Sequence, residues 1–216
     1  MPKPKLKYSN IIWDWNGTLL DDAWLCVEVM NGMLKDRNLP LISIEKYRDI
    51  FCFPVKDYYL QLGFDFNAEP FEVVGMRFMD FYNDRQKECF LHAGVQEILA
   101  GLRNKGYGQS ILSAREENEL RQEVIHLQVS GFFDHINGLD DHYAHGKTGV
   151  GIRLLNEIGL PAKKLLFIGD TLHDAAVADE LGIDCILIPN GHHSTERLGE
   201  SGKKIIHSLA EILDIL

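Results

Sequence analysis

Residues 11–20 read Ile-Ile-Trp-Asp-Trp-Asn-Gly-Thr-Leu-Leu, and this stretch constrains the fold more than any other. Ile11, Ile12 and Trp13 predict a short buried strand, and Asn16-Gly17 predicts a turn directly after it. Asp14 then falls where the strand ends. Open α/β sheets bind ligands at the carboxyl edge of their strands, so a carboxylate there is placed for chemistry. Packing alone gives little reason to put a charge at that point. An Asp that starts a turn or caps a helix is the plainer reading of the same residues.

The rest of the chain shows what surrounds that strand. From Asp21 to about Glu88 the pattern is helical, with Trp24, Val27, Met30, Met33 and Leu34 at helical spacing and Asn38-Leu39-Pro40 as a stop. Ser43 opens a second helix, Phe51-Cys52-Phe53-Pro54 breaks it, and Val55 to Leu62 makes a third, stopped by Gly63. Phe71 to Glu88 is a long amphipathic helix with Phe71, Phe78, Phe81 and Tyr82. No strand-like alternation interrupts this segment. After His92 strands and helices alternate. The strands are predicted at 107–112, 135–139, 165–168, 185–188 and 205–206, the helices at 94–104, 116–129, 148–158 and 175–181. Ser208 and Glu211 read as a capping-box pair opening a last helix. The pattern predicts an α/β fold, a doubly wound parallel sheet carrying a small inserted α-helical domain. Residues 1–20 and 89–216 would form the core, and 21–88 the insert.

Composition narrows the partners. A net charge of −10, from 32 acids against 22 bases, argues against a nucleic-acid or anionic-membrane surface. Lys3, Lys5 and Lys7 are followed by too few apolar residues for a signal peptide, and no run is long enough to span a membrane. Cys26, Cys52, Cys89 and Cys185 are scattered without metal-ligand spacing. Free thiols in the cytoplasm are the expectation.

Three further polar sites stand near predicted strand ends. Ser113 closes the 107–112 strand, Lys147 opens a helix, and Asp170 follows the 165–168 strand within Gly-Asp-Thr-Leu-His-Asp, residues 169–174. Singly, each has a structural explanation as a cap, a solvated charge or a complement to a helix N-terminus. A parallel sheet brings them to one edge, where three carboxylates, a hydroxyl and a lysine make a site for a cation and a phosphate. Mg²⁺ takes oxygen ligands, so Asp14 and Asp170 are candidates to bind it. Ser113 and Lys147 are candidates to hold phosphoryl oxygens as their charge develops.

Trp13-Asp14-Trp15-Asn16-Gly17-Thr18, Ser113, Lys147 and Gly169–Asp174, in this order, resemble the four motifs of the haloacid dehalogenase (HAD) superfamily. The helical insert and Leu91-His92-Ala93-Gly94-Val95 are similar to the phosphoglycolate-phosphatase-like branch with its helical cap. The resemblance implies a Mg²⁺-dependent phosphatase of a small phosphorylated metabolite, with Asp14 carrying the phosphoryl group as an aspartyl-phosphate. It implies metal binding by Asp14, the backbone carbonyl of Asn16 and Asp170, with Asp174 orienting from behind. Gly17, Thr18, Ser113, Ala114 and Lys147 would contact the substrate, and Lys56 of the cap is the candidate for a second anionic group, or else a solvated lysine.

Asn16 departs from that pattern, because family phosphatases carry an Asp there as general acid and base. An amide has no proton to exchange at neutral pH. Three readings stand: a phosphatase that uses good leaving groups or another acid, a catalytically weak relative that binds a phosphate ligand or a partner, or an introduced trap. His173 could replace the acid or be a helix-surface residue. Asp140, Asp141, His142 and His145 form a loop that could hold a second metal or be solvated, and His192-His193 reads as a polar surface loop. The sequence does not name the substrate or the oligomeric state.

Overall fold

The computed structural model describes residues 7–140 and 146–216; Lys3, Lys5, Asp141, His142 and His145 lie outside them. In chain order the elements begin with β1 (Asn10–Trp13), β2 (Leu20–Asp21), α1 (Ala23–Asp36), α2 (Ile44–Ile50), α3 (Val55–Gln61) and α4 (Phe71–Arg85). There follow β3 (Phe90–Leu91), α5 (Val95–Lys105), β4 (Gly108–Glu116), α6 (Glu117–His126), β5 (His135–Leu139) and α7 (Lys147–Ile158). The chain closes with β6 (Leu165–Gly169), α8 (Leu172–Leu181), β7 (Asp184–Leu187), α9 (Thr195–Gly199), β8 (Lys204–Ile205) and α10 (Glu211–Ile215).

Six strands form one parallel sheet in the order β5-β4-β1-β6-β7-β8. The chain runs outward from β1 through β4 to β5, then returns to the other side of β1 for β6, β7 and β8. This reversal makes the carboxyl end of β1 the switch point, where open sheets leave a crevice. Trp13 is in register with Ile111 of β4 and Ile168 of β6, and the Asp14 amide donates to the Ile168 carbonyl at 2.8 Å. Asp14 therefore stands one step beyond the ladder, at the crevice floor.

Alternation explains the burial of β1 on both faces. Ile11 and Trp13 pack with Leu166, Ile168, α5, α6 and α10, whereas Ile12 packs with Leu165, Phe167, α7 and α8 on the opposite face. Helices α1–α4 lie between β2 and β3, which pair antiparallel through Leu20 with Leu91 and Asp21 with Phe90. That two-residue ribbon was not expected, since two residues are too few to show an alternation. The Glu116–Val129 helix ends early, at His126, because Gln128 takes φ +59° and the Val129 amide turns back to the Val124 carbonyl. Strand β4 extends past Ser113 to Glu116, with a register shift against β5 between Leu112 and Glu116. Among the described residues, no helix is long and apolar enough to cross a membrane, and the four cysteines are free.

The helical insert is tied to the core by a buried ion cluster at the end of β4. Arg115 donates from Nε to Glu123 at 2.9 Å and from Nη2 to Asn83 of α4 at 2.7 Å, and its guanidinium lies 5.1 Å over the Tyr82 ring. Trp15 Nε1 holds the other Glu123 oxygen at 2.8 Å. Removing one partner of a buried pair leaves the other charge uncompensated. Arg115→Met should therefore lower the unfolding free energy by about 3–5 kcal/mol in urea titration. A loss below about 1 kcal/mol, the range of surface pairs, would contradict this coupling.

Candidate active site

Four backbone positions converge at the crevice: the end of β1 (Asp14), the start of α7 (Lys147), the end of β6 (Asp170) and the first turn of α8 (Asp174). All four side chains are buried, with no more than 6 % of any residue exposed. Lys147 Nζ donates to Asp14 Oδ1 and, at 2.5 Å, to Asp174 Oδ1. Thr18 Oγ1 lies 3.1 Å from Asp14 Oδ2 and 3.0 Å from Asp170 Oδ1. Its single proton is shared by two carboxylates. Carboxylate oxygens of Asp14, Asp170 and Asp174 all lie within 4.8 Å of one another.

Asp174 is the most fully neutralised of the three. Its Oδ2 accepts the amides of Asp170 at 3.1 Å and Thr171 at 3.0 Å, and the Thr171 hydroxyl at 2.7 Å, as part of the capping box that opens α8. Burial alone would raise its pKa, but Lys147 and Thr171 hold it below the ordinary value. Burial pushes Asp14 well above the usual carboxylate range, with Lys147 opposing and Asp174 and Asp170 adding to the rise. Burial also raises Asp170, against the nearby His192 charge. The least neutralised oxygens belong to Asp14 and Asp170, which could hold a cation between them.

Backbone without side chains makes this packing possible. Gly17 has φ +76°, and a Cβ on either Gly17 or Gly191 would overlap Asp170 Oδ2. The two glycines close around that carboxylate, and the His192 amide reaches the same oxygen at 2.6 Å. Ser113 is buried on the neighbouring strand, its Oγ accepting the Arg115 amide at 3.1 Å, and Ala114 is exposed next to it.

The remaining candidates lie elsewhere. The Asn16 amide donates to Asp22 Oδ2 at 2.9 Å and to the Tyr82 hydroxyl at 3.0 Å, outside the Asp14 cluster. Lys56 is exposed, with Nζ 5.6 Å over the Phe66 ring within the insert. His173 stacks on Phe53 of the insert at 4.6 Å, so it is half-buried at the seam between insert and core. Asp140 pairs with Arg153 at 2.9 Å, while Asp141, His142 and His145 lie outside the described residues.

His192-His193 corrects the expectation of a polar surface loop, since both side chains are buried. Helix α2 and Phe51, which directly follows it, cover them. Tyr47 bonds His192 Nδ1 at 2.8 Å, Phe51 packs on both rings, and Arg48 holds the carbonyls of Asn190 and Gly191. His193 Nδ1 accepts the Leu172 amide at 3.1 Å, meeting an otherwise unpaired donor at the start of α8. Sequence reading also missed Asp22, which is buried and receives the Gly17 amide at 2.9 Å and the Tyr82 hydroxyl at 2.8 Å. Adjacent acids at Asp21-Asp22, directly after an apolar run, were the available signal.

Burial would lower His192, but the Asp22 carboxylate 3.5 Å from Nε2 outweighs it and pushes the pKa up to about 9. A raised folded-state pKa contributes stability that is fully present below the unfolded value of 6.5 and is lost as the pH rises through 9. The shift corresponds to ~3 kcal/mol. His192→Gln should accordingly cost most near pH 6, and the gap in melting temperature from the parent should narrow by at least half near pH 10. Thermal unfolding across that range without added divalent cation checks this. A constant gap would mean that His192 is held by packing rather than charge.

Comparison with known proteins agrees with this architecture. A family model described as haloacid dehalogenase-like hydrolase matches residues 11–188. A phosphoglycolate phosphatase from Caulobacter vibrioides is 26 % identical, covering 96 % of this chain and 90 % of its own. A 5'-nucleotidase from Pseudomonas aeruginosa is 26 % identical, covering 89 % of this chain and 88 % of its own. A haloacid dehalogenase-like family hydrolase from Streptococcus pneumoniae shares the fold with a TM-score of 0.83 at 22 % identity, over 97 % of this chain and 98 % of that one. The family match runs from Ile11 of β1 to just past β7 and takes in each residue of the Asp14 cluster, and the chain belongs to the haloacid dehalogenase-like hydrolases.

Proposed function

We propose that this chain is a Mg²⁺-dependent phosphatase of small phosphorylated metabolites. The observation that carries the reading is Asp14, fixed at the crevice floor by Lys147 with Asp170 and Asp174 within 4.8 Å. Phosphatases among the relatives support it, although their named substrates differ. The donor set fits the metal. All its ligands are oxygens, as Mg²⁺ requires. Asp14, Asp170 and Asp174 set three carboxylates against the one ammonium of Lys147, an excess that a divalent cation offsets.

Asp14, Asp170 and the backbone carbonyl of Asn16 would hold the ion, with Asp174 positioning Lys147 and the turn before α8. Bound there, Mg²⁺ supplies positive charge to the phosphoryl oxygens. Asp14 attacks phosphorus, the bond to the leaving oxygen breaks, and the phosphoryl group rests on Asp14 until water releases it. Lys147 and Ser113 hold the non-bridging oxygens, and Gly17, Thr18 and Ala114 line the phosphate site. Helices α1–α4, residues 21–88, act as a cap, and the Phe53–His173 stack marks where it closes. Lys56 is the cap residue proposed to meet a second anionic group on the substrate. The free thiols and acidic charge fit a cytoplasmic protein that acts on neither nucleic acid nor membrane.

A catalytically weak, phosphate-binding relative is the competing reading, favoured by the Asn16 amide where an acid would serve turnover. Hydrolysis of a panel of phosphate monoesters with Mg²⁺ and with chelator separates the two. Chelator-sensitive turnover is expected, and a chain inert to every ester would favour the binding protein. Asp14→Asn should abolish turnover while leaving the melting transition cooperative; full activity would remove Asp14 as nucleophile. A general acid contributes ~10²–10⁴-fold, most for poor leaving groups. Aryl and acyl phosphates should therefore be cleaved far faster than alkyl phosphates, read as a steep slope of kcat/KM against leaving-group pKa. A flat slope would show that another group already donates the proton.

A further inference from the structure

Asp22 precedes α1, where an aspartate ordinarily caps its own helix, yet it makes no side-chain cap bond there. Its carboxylate points instead at the nucleophile loop and the insert, and it is 1 % exposed. Oδ1 accepts the Gly17 amide at 2.9 Å. Oδ2 accepts Asn16 Nδ2 at 2.9 Å and the Tyr82 hydroxyl at 2.8 Å. Asn16 Nδ2 also reaches the Tyr82 oxygen at 3.0 Å. The three side chains close a ring in which the two amide protons and the one phenolic proton each have an acceptor. The same carboxylate faces His192, whose backbone amide holds Asp170.

We propose that Asn16 and Asp22 form one exchangeable unit, a single amide and a single carboxylate shared between the nucleophile loop and Tyr82 of the insert, with Asp22 as its positioning residue. With Asn16→Asp alone, two carboxylates face each other at hydrogen-bond distance and both amide protons of the ring disappear. With Asp22→Asn alone, the ring holds two amides, and His192 loses its counter-charge. Exchanging the two restores every bond of the ring, while His192 stays without its counter-charge as in Asp22→Asn alone. An Asn at 22 would accept the Gly17 amide through its oxygen and donate its two protons to the carboxylate at 16 and to Tyr82, whose hydroxyl would donate to that carboxylate. An acid can therefore occupy position 16 only when position 22 gives up its own. This ties the missing general acid to a residue six positions away, and joins insert closure to the residue two after Asp14.

The test compares the parent, Asn16→Asp, Asp22→Asn and the double exchange. Each single variant should melt about 4 °C or more below the parent, and the double variant should melt above Asp22→Asn, which lacks the same His192 partner. Additive losses would overturn the unit. The kinetic half rests on the phosphatase reading. With Mg²⁺ and an alkyl phosphate, the double variant should turn over at least ~10-fold faster than Asn16→Asp, chiefly in kcat. With p-nitrophenyl phosphate the two should lie closer together. A single Asn16→Asp variant as stable and as active as the double would also overturn it. Rescue in melting temperature without turnover in any of the four proteins would uphold the unit and remove the phosphatase reading instead. Should a single variant fail to fold, Tyr82→Phe reads the ring. It should melt about 2–4 °C below the parent, and no loss would count against the proposal.

Discussion

One lysine buried among carboxylates sets the terms for the rest of the molecule. Lys147 touches both Asp14 and Asp174, which follow the neighbouring strands β1, at the sheet switch, and β6. Taking such charges out of water is costly unless geometry and further hydrogen bonds repay it. The fold meets that demand for Asp174 through the capping box of α8, and for Asp170 through the His192 amide. It meets it least for Asp14. The residue most exposed to unbalanced charge is thus the one proposed to react.

The same constraint reaches outward into the insert. Gly17 and Gly191 close on Asp170, so the loop after β7 must approach the loop after β1, and no side chain fits between them. Arg48 fastens that loop by its carbonyls, and Tyr47 and Phe51 cover its histidines. On the other flank, Arg115 and Tyr82 attach α4 to the end of β4. The helical segment is therefore anchored at the loop that closes on Asp170 and at the end of β4. Its position and the state of the cluster are physically coupled.

Much of this was legible in the sequence because it is local. Ile11–Trp13 and Leu165–Ile168 announce buried parallel strands, and charges directly after them, Asp14 and Asp170, stand out against the apolar run. Lys147 and Asp174 became meaningful only once the alternating pattern implied a shared sheet edge. What escaped reading depends on contacts between distant segments. His192 and His193 look like surface residues by composition, and only the packing of Tyr47 and Phe51 buries them. Tyr82 reads as one more aromatic on a helix face, because its hydroxyl partner lies 60 residues away at Asp22. Lys56 had nothing local to tell a substrate contact from a solvated cation, and it lies exposed over Phe66.

The three carboxylates gathered within 4.8 Å at the crevice are proposed to bind one divalent cation. Isothermal titration of Mg²⁺ into the parent and into Asp170→Asn tests it without reliance on any substrate. Saturable binding by the parent is expected, with at least tenfold weaker binding by the variant, about 1.4 kcal/mol. Equal affinities for the two proteins, or no binding by the parent, would contradict it.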